Sequence, residues 1–142
     1  VKPLFGYGTF RRPAWRDAIL GAVYPARAAT LRGWRRTATG SGYLSIARAP
    51  DAAIAGVLID LDAAGWAIAD AWEDVPRYEH VAVTVDAAGA MVDAIAYVCV
   101  DRDAAVTIVA DDDDRCALLD DAAVEAAIRR FRTALPARDR SR

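Results

Sequence analysis

Two periods of apolar residues run along this chain, alternation in its early and central parts and helical spacing near its end. Leu4 to Tyr7 reads as a short strand that runs into a glycine-flanked turn. Pro13 suits the first turn of a helix, which Trp15, Ile19 and Leu20 make amphipathic and Gly21 ends. Residues 23–35, 43–48 and 53–61 read as strands, and in the last Val57, Ile59 and Leu61 alternate with Leu58, Asp60 and Asp62. In residues 62–73, Trp66, Ala69, Asp70 and Glu73 recur at helical spacing. Glu73 then sits on the Trp66 side near the helix end, and Pro76 stops the helix. Val81, Val83 and Val85 share one face of the clearest strand. After the turn Asp86–Gly89, Val92, Ala94, Ala96, Val98 and Val100 share a face of the next, opposite Ile95, Tyr97 and Cys99. This is a hairpin, and it points Tyr97 away from the valines. Asp120 or Asp121 caps a last helix, whose Val124, Ile128, Phe131 and Leu135 share a face. Arg129, Arg130 and Arg132 suit that helix's C-terminal end electrostatically. The pattern predicts an α+β domain over residues 1–136 and a disordered tail over 137–142.

A length of 142 residues fits one domain. With 55% hydrophobic and 27% charged residues the composition is globular, although much of the apolar share is alanine, which fills little volume. The formal charge of −2 offers no basic patch, so nucleic acid is not an expected partner. Val1–Gly8 lacks the long apolar stretch of a secretory signal, and no run approaches the ~20 apolar residues of a membrane helix. Cys99 and Cys116 lie in no metal-type pair; a disulfide between them is one reading, and two reduced core-type residues in the cytoplasm the favoured one.

The motifs that would announce a cofactor are absent: there is no phosphate-binding loop, dinucleotide fingerprint or zinc-type cysteine pair. There is no Gly-x-Ser-x-Gly elbow either. His80 is the only histidine, which excludes a histidine-based metal site, and its phase with Ala82 and Thr84 puts it on the less buried strand face. The acidic run Asp111–Asp114 reads as a solvated loop, with a metal site as the sharper alternative. Two features remain. Phe5-Gly6-Tyr7-Gly8-Thr9-Phe10-Arg11 ends a strand in a turn with two glycines, where backbone N–H groups can converge on an anion; a tight turn needs glycine as much. Glu73 is a carboxylate at a helix end, followed five residues later by Tyr78. Alone, a solvated role is the ordinary one for any of 20 acidic residues.

Their combination is more specific. The order Leu4-Phe5-Gly6-Tyr7-Gly8-Thr9-Phe10-Arg11, then Ala29-Thr30-Leu31-Arg32-Gly33-Trp34, then Gly56-Val57-Leu58-Ile59-Asp60-Leu61-Asp62, resembles the γ-glutamylcyclotransferase-like family. Asp70-Ala71-Trp72-Glu73, Tyr78 and the alternating valines continue the likeness, which covers residues 4 to about 100. The resemblance implies a small, strongly bent mixed β-barrel with flanking helices, including one at the C-terminal end, and a substrate pocket at its mouth. It implies release of 5-oxoproline from a γ-glutamyl amine or γ-glutamyl amino acid, without cofactor or metal. Tyr7, Gly8, Thr9 and Phe10 match the loop that holds the γ-glutamyl moiety, Glu73 the acid–base carboxylate, and Tyr78 and Tyr97 pocket tyrosines. Arg11 is expected to add charge for the substrate carboxylate. Both tyrosines have an equally good reading as packed strand residues, and burial beside Trp66 and Trp72 is expected to raise the pKa of Glu73. The chain departs from the pattern at Ala69, where leucine is usual, at Trp72, at Tyr43-Leu44, which lacks a proline, and at His80, where arginine is frequent. A non-catalytic binding member of the fold, and an amide hydrolase using the same pocket, are the alternative readings.

Overall fold

A computed structural model describes residues 1–74, 77–100 and 107–135. The chain runs β1 (Leu4–Gly6), a 3-10 turn (Thr9–Arg11), α1 (Pro13–Leu20), β2 (Ala26–Ala38), β3 (Leu44–Ile59) and α2 (Ala63–Trp72). It continues through β4 (Tyr78–Ala87), β5 (Ala90–Cys99), β6 (Thr107–Ile108) and α3 (Asp121–Ala134). The strands lie in the order β3-β1-β5-β4-β2, and β2 pairs back onto β3, which closes a barrel. β6 extends the sheet from β2. β1 runs parallel to β5 while the other pairings are antiparallel, so the barrel is mixed. Among the described residues no helix is long and apolar enough to cross a membrane.

The stretches 43–48 and 53–61, expected as two strands, form one long strand, β3. Their apparent separation has a physical cause. Gly33 alone lies between Arg32 and Trp34, whereas residues 49–52, including Pro50, lie between the partners Ala53 and Arg48. The extra residues form a bulge, Gly33 takes a φ of 84°, and the strand pair bends there instead of ending. The strand expected at 23–35 lies at Ala26–Ala38, because its ladder with β3 begins at Ala26–Ile59 and runs on to Ala38–Leu44. The helix boundaries follow the sequence closely. Pro13 opens α1 and Gly21 closes it in the left-handed region at φ 69°. Asp62 caps α2 by accepting from the Gly65 N–H at 2.7 Å. Asp120 occupies the cap position of α3 without a side-chain bond, and Asp121 instead pairs with Arg12 at 2.9 Å. Arg132 reaches back to donate to the Ile19 carbonyl at the end of α1. Pro76 and the tail 137–142 lie outside the described residues.

Alternation divides the core into two layers. Phe5, Leu31, Ile54, Leu58, Val83 and Val85 fill the barrel. Leu4, Ile19, Ile59, Ala69, Val124 and Ile128 fill the space between barrel and helices. Tyr97 belongs to the second layer and the valines of β4 to the first, as the hairpin phase predicts. Cys99 and Cys116 are free thiols.

Gly56 on β3 lies hard against β1. A Cβ there would lie 2.6 Å from the Gly6 carbonyl oxygen and 2.6 Å from the Phe5 ring. Neither β1 nor a fully buried ring can yield easily, so Gly56→Ala is expected to destabilise the fold by about 1–3 kcal/mol. Denaturant or thermal melts read this directly; an unchanged midpoint would show that β1 is free to shift.

Candidate active site

Where β1 leaves the barrel, it meets the C-terminal end of α2 and the start of β4. These elements enclose a cavity of about 170 Å³. Tyr7, Gly8, Thr9, Phe10, Glu73, Tyr78 and Tyr97 all line it. Each arrives by a local rule. β1 turns Leu4 toward the helices and Phe5 into the barrel. The 3-10 turn that follows returns the chain over the cavity, with Arg11 N–H bonded to the Gly8 carbonyl at 3.0 Å. The turn is secured from α2, because Trp72 Nε1 donates to Thr9 Oγ1 at 3.0 Å.

Glu73 closes the last turn of α2, its N–H donating to the Ala69 carbonyl at 2.9 Å. Burial pushes its carboxyl up to about 8, and burial is the cause of the shift. The cavity leaves the residue partly open to solvent, but the carboxyl itself is seated among aromatic and apolar groups. Its place at a helix C-terminus, facing the unpaired carbonyl end, disfavours a negative charge further. Trp72 contributes to this dry wall. Trp66, expected beside it, lies elsewhere: its ring packs on His80 at 5.4 Å and on Tyr97 at 6.2 Å between centroids.

The tyrosines are anchored in the wall. Tyr7 OH donates to the Tyr97 carbonyl, and Tyr78 OH donates to the Leu44 carbonyl at 3.1 Å. Burial, reinforced by the negative charge of Glu73, holds both phenols well above the ordinary tyrosine range. Tyr97 is raised too, by burial and then by its bond to Asp70, to which its hydroxyl donates at 2.5 Å. His80 Nε2 stands 2.7 Å from that same Asp70 oxygen. His80 is exposed, as its strand phase predicts, yet it is engaged with Asp70, Trp66 and Tyr97.

Arg11 does not join the cavity. Its guanidinium donates to the Asp114 carbonyl at 2.8 Å, since the 3-10 turn swings it toward the acidic loop. In that loop Asp111, Asp112 and Asp114 are exposed, and Asp113 is held well below the usual carboxylate range by Arg115. The buried Arg36 pins the loop to the barrel by donating to the carbonyls of Ala110 at 2.8 Å and Asp113 at 2.5 Å. Among the described residues no cluster of three or more His, Cys, Asp or Glu could hold a metal ion. The cavity also takes Ser41, Tyr43, Asp74, Arg77 and Ala127, none of which the sequence singles out as site residues. Tyr43 and Ala127 come from a loop and from α3, and only tertiary packing brings them here.

Residues 4–115 match the family model described as "Gamma-glutamyl cyclotransferase, AIG2-like". Among curated proteins none matches significantly. Of the solved structures, one Arabidopsis thaliana protein superposes with a TM-score of 0.62 at 22% identity, covering 94% of this chain and 85% of its own. A second Arabidopsis thaliana protein gives 0.60 at 24% identity, covering 97% and 84%. A structure titled "Gamma-glutamyl cyclotransferase" gives 0.61 at 14% identity, covering 74% and 69%. At these identities the structures speak for the fold, the family match for descent: this chain belongs to the gamma-glutamyl cyclotransferase, AIG2-like family.

Proposed function

We propose that this protein is a γ-glutamyl cyclotransferase, releasing 5-oxoproline and a free amine or amino acid, with Glu73 as general acid–base. The observation that carries the reading is a desolvated carboxyl sharing one small cavity with the Tyr7–Phe10 turn. In this reaction the substrate's own α-amine attacks its γ-amide carbonyl. One C–N bond forms to close the five-membered ring and one C–N bond breaks to free the leaving amine. The nucleophile is the substrate's, so the protein needs no serine, cysteine, metal or cofactor. Good orientation of an intramolecular attack is worth about 7–11 kcal/mol.

What the substrate lacks is a place for its proton. An α-ammonium has a pKa of about 8 or higher. An ordinary glutamate, near ~4.3, would take that proton only at a large free-energy cost. With the Glu73 carboxyl at about 8, the transfer is close to balanced in both directions. Glu73 can therefore accept the ammonium proton and hand it to the leaving nitrogen. The three tyrosines, their phenols pushed upward by burial, remain neutral and shape the cavity. Thr9 and Phe10 open a helical turn, so their N–H groups have no partner within it and suit the substrate α-carboxylate.

Glu73→Gln keeps size and polarity but cannot cycle a proton. Turnover is expected to fall by about 10²–10⁴-fold while binding persists. Measuring 5-oxoproline by mass spectrometry across a panel of γ-glutamyl amides tests this; near-normal release by the variant would leave Glu73 a structural residue. For the wild type, the acidic limb of kcat/KM is expected near the Glu73 value of about 8. A limb near the ordinary glutamate value would dissociate Glu73 from the base.

The same shift has a signature in stability. A carboxyl whose folded-state pKa lies above its unfolded value stays protonated in the fold while the unfolded chain ionises. Stability is thus lost between about pH 4.3 and about pH 8, and the loss is constant above that. Glu73→Gln removes the titration, so its melting temperature relative to wild type is expected to climb across this window. Parallel pH profiles for the two proteins would show the mechanism to be absent.

5-Oxoproline itself is expected to occupy the cavity beside Gly8, Thr9 and Phe10. Crystal soaking or backbone chemical-shift mapping locates it. Binding at the Asp111–Asp114 loop instead would defeat the assignment of the turn.

A further inference from the structure

The seating of α2 combines small residues at the closest contact with polar bonds at each end. Its fully buried residues are Gly65 and Ala69, which let the helix lie close, while the half-buried Trp66, Ile68 and Trp72 pack along its flanks. A Cβ on Gly65 would stand 2.9 Å from the Tyr24 ring, so this closeness is built in. Polar fastenings add direction to this packing. At the N-terminal end Tyr24 OH donates to Asp62 Oδ1 at 2.9 Å. Toward the C-terminal end Tyr97 OH donates to Asp70 Oδ1 at 2.5 Å. His80 Nε2 meets the same oxygen at 2.7 Å, and a carboxylate has only acceptors, so His80 presents an N–H. The His80 ring also lies edge-on to Tyr97 at 5.1 Å, which holds the two donors in a fixed relation.

Asp70 and Glu73 are three residues apart, hence on one side of the helix. A bond that fixes Asp70 against β4 and β5 fixes the roll of α2 about its axis, and with it the direction of Glu73. Tyr97 is itself held at both ends, since its carbonyl accepts from Tyr7 OH. A continuous chain of contacts thus joins His80 on the surface, Asp70, Tyr97 and Tyr7 in the cavity wall. We propose that Asp70, clasped by Tyr97 and His80, is a positioning residue that sets the roll of α2 and so holds Glu73 in its dry seat against the Tyr7–Phe10 turn. The inference deepens the cyclotransferase reading and rests on it only for its kinetic consequence.

The groups that face Glu73 are Tyr7, Tyr43, Tyr78 and Tyr97 from the strands and loops, with Asp74 and Arg77 at the cavity edge. From α3, Arg130 acts on Tyr43. Of these only Tyr97 touches Asp70, and because Asp70→Asn removes the same charge but keeps that bond, the difference between Asp70→Ala and Asp70→Asn reports the seat. The sequence contains only three glutamates, Glu73, Glu79 and Glu125. Protein labelled with ¹³C at the glutamate side-chain carboxyl therefore gives a simple spectrum for a pH titration. In the wild type the Glu73 signal is expected to titrate near 8. Asp70→Ala loosens the helix and admits water, and is expected to increase the Glu73 ionisation constant by about tenfold or more. Tyr97→Phe removes the donor and His80→Ala the second contact; both are expected to move Glu73 in the same direction. Asp70→Asn keeps an acceptor for the Tyr97 hydroxyl and should restore the wild-type titration. In turnover assays kcat of Asp70→Ala is expected to fall about 10²-fold with little change in KM, and Asp70→Asn to recover most of it.

If Glu73 titrates alike in wild type, Tyr97→Phe and Asp70→Ala, the proposal is overturned. Should Asp70→Ala not fold, Tyr97→Phe decides the matter by the same spectrum. The spectrum needs no turnover. A wild type that releases no 5-oxoproline from any γ-glutamyl amide would overturn the cyclotransferase reading, while the titrations would still decide the role of Asp70.

Discussion

A carboxyl largely shielded from water at the C-terminal end of a short helix is the constraint on which the rest of this structure turns. Its desolvation opposes ionisation, and a raised pKa is the result. Such a group is unfavourable for stability over part of the pH range, so the surroundings must hold it there. They do so with backbone-anchored tyrosines, the Trp72–Thr9 bond, and a helix packed through Gly65, Ala69 and its tryptophans and fastened by aspartates. A strained or costly residue kept by an over-determined environment is the usual mark of a functional site.

Barrel closure is what makes the cavity possible. β2 and β3 are long enough to wrap around the core because the bulge between Gly33 and residues 49–52 bends the pair without ending it. β1 is short, yet it is held between β3 and β5 and lies against Gly56. That fit sets where Tyr7 and the 3-10 turn emerge. The hairpin β4–β5 then places Tyr78 and Tyr97 on the side away from the valine core. Three distant segments meet because each obeys the period-two rule of its own strand.

Local rules are also why much of this was legible before any coordinates. Pro13 and Gly21 bound α1, Asp62 precedes α2, and the hairpin follows its alternation residue by residue. The helical phase of Asp70 and Glu73 and the strand phase of Tyr97 were likewise readable. What escaped depends on chain-to-chain distance. A bulge around Pro50 looks like a break between strands in a one-dimensional pattern. Trp66 and Trp72 are both near Glu73 in sequence, but Trp66 packs on His80 and Tyr97 and Trp72 on Tyr43 and Phe131. Arg11 is adjacent to the turn yet spent on the acidic loop, and Tyr43 and Ala127 enter the cavity only through packing. His80 was readable as exposed; its bond to Asp70 was not, because β4 and α2 meet only in the folded barrel.

Substrate-supplied nucleophiles place an unusual demand on a protein. A hydrolase must activate a serine, cysteine or water that it holds permanently, and its sequence advertises the machinery. A cyclisation needs a folded substrate and a proton acceptor of matched strength, neither of which demands a rare residue or a dense motif. Matching is a property of environment: Glu73 is one of three glutamates, unremarkable by type, and separated from the others by its burial and its helix end. The environment is supplied by residues whose own reading is structural. Tyr7 and Tyr78 donate to backbone carbonyls, Trp72 braces a turn, and Asp70 ties a helix to a sheet. Under the proposed reaction, packing and chemistry are therefore the same interactions, and a change in the wall of the cavity is a change in the surroundings of one carboxyl.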